Sequence, residues 1–137
     1  MKIYICNASE LSILSLLDRA EQKWTPVGYA PQAWNLEAVA RVLRPIEEPA
    51  FWLARLNRSI ADIYKPVEII SATGDADTAR LFSQILNRPV EPNRITVKLE
   101  GGPEIGSLAL IGQYTGPRLP EGATTLPEGA KIEWWVL

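Results

Sequence analysis

A chain of 137 residues, 47% of them hydrophobic and with a formal net charge of −2, can bury one core without disulfide or metal staples. That balance excludes a disordered polymer and argues against a non-specific duplex binder, which needs many cations over phosphates. With 0 His and 1 Cys, the sequence excludes Ser-His-Asp and Cys-His mechanisms, His-ligated metal sites, Cys-rich zinc sites and intrachain disulfides.

The apolar runs stop short of the roughly 18 residues that a membrane span needs. The apolar opening, Met1 to Cys6, is too short for a signal peptide. A cytoplasmic protein is expected, with no membrane partner, no metal and no other cofactor.

Lys2–Cys6 reads as a short buried strand, with Cys6 as a small buried hydrophobe. The pattern switches at Asn7-Ala8-Ser9-Glu10, where Asn7 is placed to cap a helix and Glu10 to complete a capping box. Leu11, Ile13, Leu14 and Leu17 supply its apolar face. Residues 23–27 suggest a second strand that Pro26 keeps at an edge.

Residues 30–66 read as an inserted helical pair. Asn35 is a cap for Leu36–Leu43, which stops before Pro45. Pro49 suits the first turn of a second helix, along which Trp52, Leu56 and Ile60 recur at helical spacing until Pro66. Arg41, Arg44, Arg55 and Arg58 are nearly balanced by Glu37, Glu47, Glu48 and Asp62, as on a solvated face.

Val67–Ser71 is a β-branched strand running into Thr73-Gly74-Asp75. A helix follows with Ala79, Leu81, Phe82, Ile85 and Leu86 inward, closed by Asn87 and Pro89. Arg94–Leu99 alternates as a half-buried strand, Leu108–Tyr114 is the next, and Lys131–Val136 the last. Between the last two, Leu119-Pro120-Glu121-Gly122-Ala123 recurs as Leu126-Pro127-Glu128-Gly129-Ala130, a signature of two successive β-turns. The expected fold is a single α/β domain over residues 1–137, a mixed sheet of about five strands with helices on its faces.

Three segments are candidates for holding an anion. Asn7-Ala8-Ser9 and Ser71-Ala72-Thr73-Gly74-Asp75 each deliver a strand into a helix start, where unpaired N–H groups favour phosphate. The third runs from Gln113 to Arg118 and on through Leu119-Pro120-Glu121-Gly122, a strand end carrying an arginine. Arg94, at its own strand start, joins them.

Four of these segments resemble, in order, the viral anti-CRISPR ring nucleases that act against type III systems. Ile3-Tyr4-Ile5-Cys6-Asn7-Ala8 followed by Leu11 and Leu14 is similar to that family's opening. Ser71-Ala72-Thr73-Gly74 with Thr78-Ala79 resembles its Ser-x-Ile-Gly-His-x-x-Thr segment. Asn93-Arg94-Ile95 looks like its Asn-Arg-Val strand, and Arg118-Leu119-Pro120-Glu121-Gly122 like its Arg-Leu-x-Glu-Gly turn. The resemblance implies a homodimer that binds cyclic tetra-adenylate, a small cyclic RNA messenger, at its two-fold interface. It also implies metal-free cleavage, in which a ribose 2′-hydroxyl attacks the adjacent phosphate and a histidine protonates the leaving oxygen. On that pattern Asn7, Ser9, Arg94, Gln113 and Arg118 hold the ligand, and Glu121 lies near the reacting phosphate.

The family's histidine falls on Asp75. An aspartate ionises near pH ~3.9, and a helix N-terminus favours its charged form further. Asp75 is therefore expected to be an ionised helix cap rather than a general acid. The expected activity is cyclic oligoadenylate binding, modulating type III CRISPR signalling. The alternatives are a slow or rewired ring nuclease helped by Glu121 or Tyr114, and a protein-interaction module built on Trp34, Trp52, Trp134 and Trp135.

Overall fold

Residues 2–8, 34–36, 43–61, 67–95, 97–99 and 107–137 are described by a computed structural model. Strand β1 (Lys2–Ala8) sends Ile3 and Ile5 to one side and Tyr4 and Cys6 to the other, and all four are buried. A strand covered on both faces belongs inside a sheet. β1 accordingly pairs in parallel with β4 (Glu68–Ala72) on one flank and β6 (Ser107–Thr115) on the other. β7 (Lys131–Val136) returns antiparallel to β6, and β3 (Arg44–Ile46) closes the far edge against β7. The order is β3-β7-β6-β1-β4, a mixed five-stranded sheet, and β2 (Trp34–Leu36) pairs with β5 (Val97–Leu99) in a second, two-stranded one. The chain is an α/β protein of the expected class.

Both described helices cover the same face of the large sheet. Leu53 of α1 (Pro49–Ala61) and Ala79, Phe82 and Leu86 of α2 (Ala76–Leu86) are buried against Ile3, Ile5, Leu108, Leu110, Trp134 and Val136. On the opposite face Val97 and Leu99 of β5 pack with Tyr4, Cys6, Ala72, Ala109 and Ile111. Gly112 is the sheet's close-approach point: a Cβ there would stand 2.5 Å from Cζ of Phe82 and 2.9 Å from Trp134. Those two rings meet at 4.7 Å between centroids, tilted by 52°, an edge-biased aromatic pairing that only a residue without Cβ can lie beneath.

Several expectations shift. β1 continues through Asn7 and Ala8, so Asn7 is a ladder residue paired with Gly112. The helix expected beyond Glu10 and the strand expected at 23–27 lie outside the described residues. Asn35 is the middle of β2, paired with Lys98, rather than a cap for Leu36–Leu43. The parallel ladder satisfies its backbone there, and local capping preference yields to that pairing. Leu43 precedes β3, whose Pro45 is tolerated because the strand has a neighbour only in β7. The 30–66 segment is thus two short strands and one helix among its described residues, not a helical pair.

Candidate functional site

β4, β1 and β6 run parallel, so their carboxyl ends emerge at one edge of the sheet. Ligands of open α/β sheets bind at such edges, where strand ends pass into loops and helix starts. At this edge β4 ends in Ala72, and Thr73-Gly74-Asp75 turns the chain into α2. Thr73 is fully buried and its Oγ1 donates to the Ile5 carbonyl at 3.1 Å, tying the turn to β1.

Arg94 reaches this turn from a separate segment. The Asn93 backbone N–H donates to the Thr73 carbonyl at 2.8 Å, and its Nδ2 to the Ser71 carbonyl at 2.7 Å. Ser71 Oγ donates back to the Glu91 carbonyl at 2.5 Å. These bonds lay residues 91–93 along the free edge of β4 and explain why the expected Arg94–Leu99 strand is a ladder only at Val97–Leu99. Arg94 then folds over Gly74, with Nε 3.4 Å from the Gly74 carbonyl. A Cβ on Gly74 would stand 2.9 Å from Cγ of Arg94, so the glycine leaves the space that the arginine stem fills.

Asp75 is the N-cap of α2. Its Oδ2 accepts the Thr78 N–H at 2.9 Å and the Thr78 hydroxyl at 2.7 Å. The Thr78 hydroxyl and then its N–H hold the carboxyl below its usual range, the guanidinium groups of Arg94 and Arg118 add to this, and partial burial opposes it. Asp75 is therefore a carboxylate at neutral pH and has no proton to give.

The second arginine arrives on the loop between β6 and β7. Tyr114, near the end of β6, donates its hydroxyl to the Pro117 carbonyl. Beyond Arg118 comes a turn closed by the Ala123 N–H on the Pro120 carbonyl at 3.1 Å, with Gly122 at φ +79. A positive φ at the third residue is the type II signature and calls for glycine. The copy of this turn at Pro127–Ala130 has the same 3.1 Å bond and Gly129 at φ +80, so the sequence repeat is a repeated turn. The first of the two is fastened to the helix: Asp77 Oδ1 accepts the Gly122 N–H at 3.3 Å and Arg80 Nη1 at 2.9 Å.

Of the residues singled out by sequence, the structure thus brings Asp75 and Arg94 to one helix start, and the turn that follows Arg118 is fastened to the same helix. Exposed Glu121 lies in the turn fastened there. Two others separate. Asn7, half-buried, follows the alternation of Ile3 and Ile5 toward the helix-covered face, whereas Gln113 pairs with Ala8 and Glu133 and is buried on the opposite side. Ser9 lies outside the described residues. Sequence reasoning named Asn93 and Gly74 within their motifs without the roles they have here, and missed Asp77, which fastens the turn after Arg118. Neighbouring Asn93-Arg94 and the Asp75-x-x-Thr78 spacing were the available signals.

Among the described residues no cluster of three or more His, Cys, Asp or Glu side chains could hold a metal ion. No described helix is long and apolar enough to cross a membrane. Cys6 is buried among core side chains, and that burial pushes its thiol pKa far up. Trp134 is buried, and Trp52 and Trp135 pack partly buried against the two core clusters.

A family model described as STIV B116-like matches residues 55–134. The match takes in the Gly74–Asp75 turn, Asn93-Arg94 and Arg118–Gly122, and leaves out Asn7 and Ser9. Neither the curated proteins nor the solved structures give a match.

Proposed function

Because the chain belongs to the STIV B116-like family, a viral family whose model spans more than half of it, we propose that it binds a cyclic oligoadenylate and thereby modulates type III CRISPR signalling. The ligand is a ring of the cyclic tetra-adenylate class, held between two copies of the chain. The observation that carries this reading is Arg94 folded over Gly74 beside the Asp75 cap at the carboxyl edge of parallel strands, with the turn that follows Arg118 fastened to the same helix through Asp77. Guanidinium groups fork onto phosphate oxygens, and strand-end turns offer backbone N–H groups beside them.

Binding without efficient cleavage is favoured over ring hydrolysis. The position that would carry a general acid holds an ionised carboxylate whose Oδ2 already takes two hydrogen bonds from Thr78. A missing general acid typically lowers a rate about 10²–10⁴-fold, while ground-state binding survives. The same arrangement speaks against a pure protein-interaction module, for which buried Trp134 offers no exposed anchor.

Calorimetric titration of the purified chain with cyclic tetra-adenylate tests the proposal. The expected result is saturable binding with one ring per two chains and an intact ring after prolonged incubation. No heat and no thermal stabilisation at ligand excess would sink it, and release of linear product at stoichiometric protein would move the reading to the nuclease.

A further inference from the structure

Asp75 does more at this helix start than end a helix. The carboxylate sits one residue from Gly74, whose carbonyl receives Arg94. It also lies two residues from Asp77, which fastens the turn following Arg118. Asp77 is neutralised by its ion pair with Arg80 at 2.9 Å. Asp75 accepts only from uncharged groups of Thr78, so its charge is felt by whatever the two arginines attract.

We propose, building on the cyclic oligoadenylate reading, that Asp75 is a specificity-determining residue that curbs the preference of the two arginines for terminal phosphomonoesters over internal phosphodiesters. A phosphodiester carries a single negative charge, whereas a terminal phosphate carries about 1.5–2 at neutral pH. The carboxylate offsets one of the two guanidinium charges, so the extra charge of a monoester gains less here than two arginines alone would give it. The additional charge of a monoester gains attraction to the arginines and meets repulsion from the fixed carboxylate. At about 6 Å an extra unit charge facing a carboxylate weakens binding about threefold in fully hydrated surroundings, and more as water is displaced. A closed ring contains only diesters, so this carboxylate weakens competition from linear chains that end in a phosphate monoester.

The test compares three ligands on the wild type and on Asp75→Asn. These are cyclic tetra-adenylate, linear tetra-adenylate ending in a 3′-phosphate, and the same linear chain ending in a 3′-hydroxyl. Asparagine caps helices as well as aspartate does, so the variant keeps the fold, which its melting temperature verifies. The expected result is a gain in affinity for the 3′-phosphorylated chain about three- to tenfold larger than the gain for the other two ligands. Asp75→Ser, also a good cap and also uncharged, reproduces that gain. An equal change for all three ligands overturns the selectivity role while leaving the binding reading intact. Absence of binding by wild type and both variants overturns the cyclic oligoadenylate reading and the selectivity role with it.

Discussion

Gly74→Ala adds one methyl group at a point where ideal geometry sets Cβ 2.9 Å from Cγ of Arg94. Carbon atoms in contact prefer about 3.5–4.0 Å, so the arginine stem must swing away. The backbone itself objects little: the described glycines in the left-handed region are Gly116, Gly122 and Gly129, and Gly74 is outside it. A strain-free glycine-to-alanine change stabilises by about 0.4–1 kcal/mol through the unfolded chain. The 3.4 Å contact from Arg94 to the Gly74 carbonyl is long and loses little when broken. Thermal unfolding is therefore expected to stay within about 1 kcal/mol of wild type. Ligand binding behaves differently, because a charge-assisted hydrogen bond contributes about 1.5–3 kcal/mol, which corresponds to about 10–100-fold in affinity for cyclic tetra-adenylate. Calorimetry on Gly74→Ala, Arg94→Ala and the double variant reads this out. If the glycine acts through the arginine, the double variant binds no worse than Arg94→Ala alone. Wild-type affinity in Gly74→Ala, or fully additive losses, would refute the placement of Arg94 in the site.

Asp75→Ala removes both bonds to Thr78 and costs about 1 kcal/mol of stability, whereas Asp75→Asn costs a few tenths or less, measurable by urea unfolding. The folded carboxyl titrates below its unfolded value of about 3.9, so its contribution is present above that value and fades as pH falls through the folded one. The gap between wild type and Asp75→Ala should accordingly shrink in acid; a gap that widens below pH ~4 contradicts the cap. Gly112→Ala drives a methyl group into Phe82 and Trp134, which are buried and already in contact, and is expected to cost about 1–3 kcal/mol; an unchanged melting temperature refutes that packing. Cys6 is buried with its thiol pKa raised, so a thiol reagent should modify it only at the rate of unfolding, and fast labelling of the native protein would disprove its burial.

Legibility in the sequence followed how local the cause was. The second half of the chain is governed by nearby residues. Asp75 and Thr78 start α2, Asn87 at φ 53 ends it, and the Pro-x-Gly turns at 120 and 127 set up the return to β7. Each of those signals acts within a few positions of itself and reads directly. Residues 34–36 and 44–46 are governed by distant partners. Asn35 carries a strong cap preference, yet its backbone is claimed by Lys98, and Arg44–Ile46 becomes a strand because Trp134–Val136 lies beside it. The site divides the same way. Asp75 as a cap was legible, and so was the family likeness of Asn93-Arg94 and Arg118–Gly122. That Asn93 clamps onto Ser71 and Thr73, or that Asp77 catches Gly122 across 45 positions, depends on the sheet order and is invisible from spacing. That Asn7 and Gln113 lie on opposite faces of the sheet has a simpler reason: adjacent strands in parallel register put Gln113 beside Ala8, and Ala8 and Asn7 face opposite ways.

The chemistry of the helix start follows from a conflict at a single position. A good N-cap is a short side chain with a permanent acceptor, and Asp75 meets that demand with two bonds to Thr78. A good general acid needs a proton near neutral pH and a free path to the leaving oxygen. The hydrogen bonds that make the cap effective stabilise the carboxylate form, so each increment of helix stability lowers the fraction of protonated acid. Arg94 and Arg118 push in the same direction, since the positive charge that attracts a phosphate also holds the proton off Asp75. An aspartate placed there cannot serve both tasks. Its bonds make it a cap, and its charge is what the proposed selectivity rests on.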